Sequence, residues 1–182
     1  MQATPNQILE YWYSPENRAC WFSSTPQLDQ SIRNTFEPLF QSASLGELDD
    51  WMQTPEGCLA LIIVLDQLPL NMYRGTPQSF KTEQQAVYVC KYAIKNKYDK
   101  QLPKDRLGFL YMPLMHSEKP DDQDLAVSLY TEAQLESNLH FAQHHRKIIR
   151  RFGRFPHRNR ILNRNSTTAE IEYLASKSAF LG

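Results

Sequence analysis

The chain has 182 residues, of which 41% are hydrophobic and 22% are charged, and its 20 Lys and Arg balance its 20 Asp and Glu. This composition is typical of a globular protein that is long enough to bury a core, so we expect one domain over residues 1–182. Zero formal net charge excludes a general attraction to nucleic acid or to anionic lipid. Any such attraction must come from a local patch.

The N-terminus, the longest apolar run and the cysteines predict the cellular compartment of the protein. The N-terminus has no basic segment followed by a long apolar one, and the longest apolar run, residues 59–65, is too short to cross a bilayer. Cys20, Cys58 and Cys90 lie far apart, which favours free thiols in a reducing compartment. We therefore expect a cytoplasmic protein with no membrane association, no cofactor and no metal site.

Helix starts are marked repeatedly along the chain. In a Ser-Pro or Thr-Pro step the hydroxyl accepts an unpaired helix N–H, and the proline at the first helical position needs no donor. A capping box at 167–170 adds one more start. The steps are Thr4-Pro5, Ser14-Pro15, Thr25-Pro26, Thr54-Pro55 and Thr76-Pro77.

Between these starts, apolar residues recur at spacings of three and four, and no run alternates as a strand does. The pattern predicts an all-α protein of about seven helices, with short connections that favour antiparallel pairs. The predicted helices span residues 5–13, 26–44, 55–68, 77–97, 103–115, 122–152 with a break near residue 137, and 167–180.

The third helix is apolar on every side from Cys58 to Leu65, which predicts burial on all faces. Asp66 follows directly, at the predicted end of the helix, where a carboxylate opposes the helix dipole and needs a cation. Arg74 is the nearest basic residue. A structural ion pair and a site carboxylate are both open interpretations of Asp66.

His116 and Glu118 follow the apolar segment of residues 109–115. They could form an acid/base couple, because desolvation and mutual charge shift the pKa of both groups. They could also be two metal ligands, but no third ligand stands at a suitable spacing. The simplest alternative is that this segment caps the next helix, with Ser117 or Asp121 at the N-cap.

In the long helix of residues 122–152, His145 shares a face with Phe141, Ile148 and Ile149. We interpret it as a core histidine that points inward. Gly153 is placed to end this helix in a left-handed conformation, and Phe155-Pro156 then predicts extended backbone. Four polar residues are left on the irregular segment that follows: Arg154, His157, Arg158 and Asn159.

Residues 137–169 contain no acid and eight of the 20 cationic side chains, seven of which are arginines. Arginine in preference to lysine favours bidentate recognition of a carboxylate or a phosphate. A solvated basic face, and arginines paired internally with acids such as Asp66 and Glu118, are the alternatives. RNA binding, with Phe152 and Phe155 as stacking surfaces, is disfavoured by the zero net charge.

Several segments together resemble one bacterial family, domain of unknown function 924. They are EYWY with Trp21-Phe22, LALIIVLDQLPLNMYRGT, FLYMPLMHSE, DQDLAVSLY and IIRRFGRFPHRNRILNRNSTTAEIEYL. The resemblance implies a tetratricopeptide-like stack of helix pairs and no established activity. Two positions depart from the family pattern: Leu70 stands where an arginine is usual, and Lys119 where an acid is usual.

Such polar motifs exceed what a stack of helices needs, so we expect a shared polar pocket that binds a small anionic ligand. Proton transfer is assigned to His116, Glu118 and His157, and whether the protein is an enzyme stays open. The alternative is an interaction module that binds a peptide or a partner protein on a concave helical surface. The expected ligand-binding residues are Asp66, Gln67, Arg74, Arg154, Arg158 and Asn159.

Overall fold

The structure is a computed structural model that describes residues 3–181, and within these residues every regular element is a helix. The all-α prediction is confirmed. The α-helices are α1 (Pro5–Trp12), α2 (Pro15–Arg18), α3 (Pro26–Ser44), α4 (Pro55–Ile62), α5 (Leu68–Met72), α6 (Glu83–Lys95), α7 (Lys104–Leu110), α8 (Met112–His116), α9 (Pro120–Glu132), α10 (Glu136–Phe152) and α11 (Thr168–Leu174). Short 3-10 helices occupy Asp49–Gln53, Pro77–Phe80 and Pro156–Arg158, and Ile63–Gln67 is a π-helical turn.

The predicted helix starts are confirmed at four of the five Ser/Thr-Pro steps. In α1 to α4 the hydroxyl of Thr4, Ser14, Thr25 or Thr54 accepts a hydrogen bond from a backbone N–H of the first turn. The fifth step begins the 3-10 helix Pro77–Phe80 instead. Thr167 forms the predicted capping box at the start of α11.

Several predicted helices are divided, and prolines explain two of the divisions. Pro113 cannot donate to the carbonyl four residues earlier, and the predicted helix of residues 103–115 is divided at Tyr111 into α7 and α8. Pro69 cannot donate to the Leu65 carbonyl, and here the π turn separates α4 from α5. The Thr82 hydroxyl donates to that Leu65 carbonyl, so the carbonyl keeps a partner.

The prediction for the third helix is confirmed at its core and wrong at its end. Every side chain from Cys58 to Leu65 is at most 3% exposed. Asp66 does not end a helix, because the π turn carries the chain onward into α5. The expected conflict between the Asp66 carboxylate and a helix end is therefore absent from this position.

The chain packs into two units, and the prediction of one domain stays a prediction. The first unit contains residues 3–74 and 78–113, and the second contains residues 75–77 and 114–181. Within residues 3–181, no helix combines the length and the apolar character that a membrane span needs.

In the first unit, the aromatic residues of the EYWY and Trp21-Phe22 segments pack around Phe109. Its ring centroid lies 5.4 Å from that of Trp12 and 4.6 Å from that of Trp21, both edge-on. Such contacts stabilise beyond their buried area. These motif residues therefore have a packing role.

In the second unit, α9 and α10 form an antiparallel pair. Asp124, near the start of α9, contacts Arg146 and Arg150, which lie in the second half of α10. The break lies at residues 133–135, where Gln134 has φ 53°, close to the predicted position. His145 is buried as predicted, whereas Phe141 is 50% exposed, so its assignment to the inward face was wrong.

Candidate functional site

The nine predicted site residues are divided between the two units, and each group is described by itself. The first unit holds three of them: Asp66, Gln67 and Arg74. The second unit holds the other six: His116, Glu118, Arg154, His157, Arg158 and Asn159.

Asp66 and Gln67 lie side by side in the π turn and are both buried. The amide nitrogen Nε2 of Gln67 donates a hydrogen bond to the Asp66 carboxylate and also lies 3.3 Å from the sulfur of Met112. A buried carboxylate needs such donors, because burial without them would be costly. The Gln67 amide therefore supplies a hydrogen-bond donor to the buried Asp66 carboxylate inside the first unit.

Arg74 is paired with Asp29, at the start of α3. Its Nε lies 2.7 Å from Asp29 Oδ2, and its Nη2 lies 3.3 Å from Oδ1. Asn71, from the DQLPLN motif, and Ser24 donate to the same carboxylate at 2.9 and 2.7 Å. Burial alone would raise the pKa of Asp29, but these hydrogen bonds outweigh it and keep the pKa below its usual value.

An open cavity of about 280 Å³ lies beside this cluster, lined by Arg74, Asn71, Asp29 and Gln30. An external anion here would have to compete with the Asp29 carboxylate, which already faces the guanidinium in a bidentate arrangement. Arg74 and Asp29 thus form an ion pair within the chain, and this pair lies at the surface of the first unit.

Glu118 is held by two donors in the second unit. Arg164 donates from Nη1 to Oε2 at 2.7 Å and from Nη2 to Oε1 at 3.0 Å, and the Phe155 N–H donates to Oε1 at 2.7 Å. The Arg164 Nε donates to the Asn159 side-chain oxygen. Burial by itself would raise the pKa of Glu118, but these bonds outweigh it and hold the pKa below its usual value. Glu118 is therefore held ionised.

Arg154 is engaged in a similar way with Glu170, on α11. Its Nε and Nη2 lie 2.7 and 2.9 Å from the two carboxylate oxygens, and Nη2 also donates to the Asn165 carbonyl. The Thr167 N–H donates to the same carboxylate in the capping box. The Arg154 guanidinium, with the capping hydrogen bond, lowers the pKa of Glu170 to about 2.

Arg158 is only 6% exposed, and its Nη2 donates to the His116 backbone carbonyl at 3.0 Å. Its guanidinium lies over the Phe155 ring, 4.6 Å from the centroid. Phe155 is fully buried, so it cannot serve as a stacking surface for a base in this conformation. The two residues form part of the interior of the second unit.

Histidines gather around Phe155 and Phe180. The His157 ring centroid lies 5.6 Å from Phe155 and 5.0 Å from Phe180, and the His145 centroid lies 4.4 Å from Phe180. His145 contacts the Phe141 carbonyl through Nδ1 at 2.7 Å, whereas the buried Nδ1 of His157 has no hydrogen-bond partner within residues 3–181. Burial lowers the pKa of His145 to about 3 and, together with the Arg158 charge, that of His157 to about 4.

The expected cap before α9 differs in detail from the prediction. The N-cap is Lys119, not Ser117 or Asp121. The Ser117 hydroxyl instead accepts from the Lys119 N–H and donates to the buried Asp122 carboxylate at 2.7 Å. The segment before α9 is therefore a turn that the Ser117 hydroxyl stabilises by hydrogen bonds to Lys119 and Asp122.

Three partner residues were missed by sequence reasoning: Asp29, Arg164 and Glu170 as an ion-pair partner. Arg164 lies in residues 137–169, which contain no acid, and the same argument that selects Arg154 applies to it. Glu170 was recognised as a capping residue, and a capping carboxylate retains lone pairs for a cation. Asp29 carries no motif, and its distance of 45 positions from Arg74 gave no signal.

A second open cavity, of about 350 Å³, lies in the first unit and contains none of the predicted site residues. We name it the Leu45–Tyr88 groove. It lies between the end of α3 with the turn that follows and the start of α6. Leu45 is 75% exposed and Tyr88 is 63% exposed, although both are large apolar side chains. The residues that define it are Leu45, Gly46, Asp49, Gln84, Tyr88 and Val89.

A family model and a solved structure each match most of this chain. Residues 8–178 match a family described as bacterial protein of unknown function, domain of unknown function 924. A solved structure of a protein of unknown function from Agrobacterium tumefaciens is 35% identical, with a TM-score of 0.86, and the match covers 94% of this chain and 96% of that chain. A search of curated proteins found no significant match.

Proposed function

The chain belongs to the family of domain of unknown function 924, and we propose that it is a cytoplasmic interaction module that binds a segment of another protein in the Leu45–Tyr88 groove. The observation that carries this proposal is the pair of large apolar side chains, Leu45 and Tyr88, held in solvent beside an open cavity. Apolar surface beside a concavity is typical of binding sites.

The state of the arginines supports the same choice. Arg74 and Arg154, two of the three arginines expected to bind an anion, each face an internal carboxylate with two nitrogens. A ligand carboxylate or phosphate would have to displace Asp29 or Glu170 from a bidentate pair. We therefore assign these pairs to holding the fold.

The tetratricopeptide-like arrangement is part of this proposal. The antiparallel pair of α9 and α10, with its short connection, is the kind of unit from which such stacks are built. Helical stacks commonly bind extended or helical segments of other proteins on their open surfaces.

Site-specific photo-crosslinking tests the interaction. A photoreactive phenylalanine analogue replaces Tyr88 in the full chain, and the matched control carries it at Phe22, which is 81% exposed but outside the groove. We expect one protein adduct from position 88 that is absent from position 22 and is lost when Leu45→Ser is added. Equal adducts at both positions, or none at position 88, would contradict the proposal.

A second candidate function is the binding of a small anion in the second unit, where His157 supports it. A buried ring nitrogen without a partner is rare, and a guest could supply one. With its pKa lowered to about 4, His157 is neutral at pH 7 and can hold or accept one proton. Glu118 is less suited to proton transfer, because Arg164 and the Phe155 N–H occupy its oxygens.

Thermal unfolding in phosphate or citrate, compared with chloride at equal ionic strength, tests this second candidate. We expect a higher Tm in the wild type that is absent in His157→Phe. Asp124→Asn, at a surface ion pair of the same unit, is the control that should keep the response. Equal stabilisation of His157→Phe and wild type would exclude a site at His157.

A further inference from the structure

The partner of the Leu45–Tyr88 groove can be specified further by charge. Residues 34–73 contain no Lys, Arg or His and six acids: Glu37, Glu47, Asp49, Asp50, Glu56 and Asp66. The turn that forms one wall of the groove lies in this stretch, and Glu47, Asp49 and Asp50 are exposed there. One wall of the groove therefore lies in a stretch of 40 residues that carries acids and no basic residue.

The residues that line the groove repeat this bias. One of them, Asp49, is acidic, and none is basic. The C-terminal end of the 19-residue helix α3 also lies at the groove, and its last turn contains no basic residue. A helix C-terminus carries partial negative charge, which favours a nearby cation, and here the Ser44 carbonyl already accepts one hydrogen bond from Gln85 Nε2 at 3.0 Å.

The other wall carries charges of both signs, because the exposed Lys81 and Lys91 lie on either side of Glu83 and the lining residues of α6, although neither lysine lines the groove. The start of α6 lies there, and its positive helix end is offset by Glu83 in the first turn. Gly46, with φ +81°, makes the turn that carries Leu45 and Asp49 on either side of it. An apolar wall and an acidic rim are thus combined on a short, defined segment.

We propose that the Leu45–Tyr88 groove binds a basic segment of a partner protein, in which one large apolar side chain is flanked by Lys or Arg. The inference rests on the proposed function and adds the chemistry of the partner. The apolar side chain packs between Leu45 and Tyr88, and the flanking cations lie near Asp49 and the end of α3. A cavity of about 350 Å³ is at the small end of binding pockets, so it suits one such side chain.

Three labelled peptides that differ only in charge test the inference by fluorescence anisotropy. They are Gly-Lys-Lys-Leu-Phe-Lys-Lys-Gly, the same peptide with Gln for each Lys, and the same peptide with Glu for each Lys. We expect the basic peptide to bind full-length protein at least about tenfold more tightly than the neutral one, with affinity falling as salt rises. The acidic peptide should bind least.

Variants of the groove then locate the binding. Leu45→Ser combined with Tyr88→Ser should abolish binding, and Glu47→Gln, Asp49→Asn and Asp50→Asn together should weaken it about tenfold. Phe22→Ser and the double change Glu10→Gln, Glu16→Gln are matched controls at exposed positions outside the groove, and they should leave binding unchanged. All eight positions are exposed, so circular dichroism should show a retained fold.

The outcomes separate this inference from the function on which it rests. If the neutral or acidic peptide binds as tightly as the basic one, and Leu45→Ser with Tyr88→Ser abolishes that binding, the charge inference is overturned and the groove function stands. If the basic peptide binds equally to the groove variants and to wild type, its site lies elsewhere and the inference is wrong. If no peptide binds and position 88 yields no adduct, both are wrong.

Discussion

Two irregular segments, one in each unit, are stabilised in opposite ways. The π turn Ile63–Gln67 lies among apolar side chains, and one hydroxyl satisfies its displaced carbonyl. Residues 153–166 are instead held by Glu118 and Glu170, each of which binds an arginine and a backbone N–H. Burial of apolar surface does not depend on protonation, whereas charge-assisted hydrogen bonds do. The two units should therefore respond differently to core truncation, charge removal and pH.

The largest effect should come from the buried segment of the first unit. Leu61→Ala removes a side chain that is 1% exposed and leaves a cavity, so the free energy of unfolding should fall by about 3 kcal/mol. Urea unfolding at pH 7 and at pH 5 measures the loss, which should be the same at both. Leu45→Ser, at an exposed position, is the control and should change stability by less than about 0.5 kcal/mol.

Removing a carboxylate from the second unit should have the next largest effect. Glu118→Ala leaves the half-buried Arg164 guanidinium and the Phe155 N–H without their acceptor, and we expect a loss of about 2 kcal/mol at pH 7. Asp124→Ala, at a surface pair with Arg150, should cost less than about 1 kcal/mol. Equal losses in the two variants would show that the Glu118 cluster is no more than a surface pair.

The free energy of unfolding should depend on pH through the buried histidines of the second unit. The pKa of His157 is lowered to about 4 from 6.5, so the unfolded chain binds a proton that the folded chain excludes. Stability from this residue is fully present above pH 6.5 and is lost as pH falls towards 4. His157→Gln should remove about 1 kcal/mol of the loss between pH 6.5 and pH 5. Urea midpoints across this range measure it, and an unchanged slope would contradict the burial of the neutral ring.

At lower pH the carboxylates should determine how the free energy of unfolding changes with pH. The pKa of Glu170 is lowered to about 2 from 4.5, so its contribution is complete above pH 4.5 and is lost as pH falls towards 2. Arg154 and the capping hydrogen bond cause this shift, and Glu170→Gln should flatten the acid limb of the stability curve. The limb should stay unchanged in Leu61→Ala, because that position carries no charge.

The smallest effect should come from a single helix cap. Thr167→Ala removes the hydroxyl that accepts the Glu170 N–H, and we expect a loss of about 1 kcal/mol. Thr167→Ser, which keeps the hydroxyl, should retain most of the wild-type stability. Urea unfolding followed by circular dichroism measures both, and equal losses in Ala and Ser would assign the effect to the methyl group instead.

Local chemistry determined the helix starts, the fully buried helix and the left-handed cap at Gly153, because each depends on residues within a few positions of one another. It also predicted that His145 points inward, since one helical face carries that information. The predicted helices 55–68 and 103–115 followed the apolar spacing and ignored Pro69 and Pro113. The structure divides the chain near both prolines, in the π turn and at Tyr111, so the local signal was present in the sequence.

The sequence by itself determined the fold class, the family and the residue types of the polar motifs. Tertiary structure alone decided which cation meets which acid, because Arg74 with Asp29 and Arg164 with Glu118 are separated by 45 and 46 positions. It also decided that Leu45 and Tyr88 are left exposed around one groove. Exposure depends on which helices cover which faces, and a linear pattern of apolar residues does not contain that information.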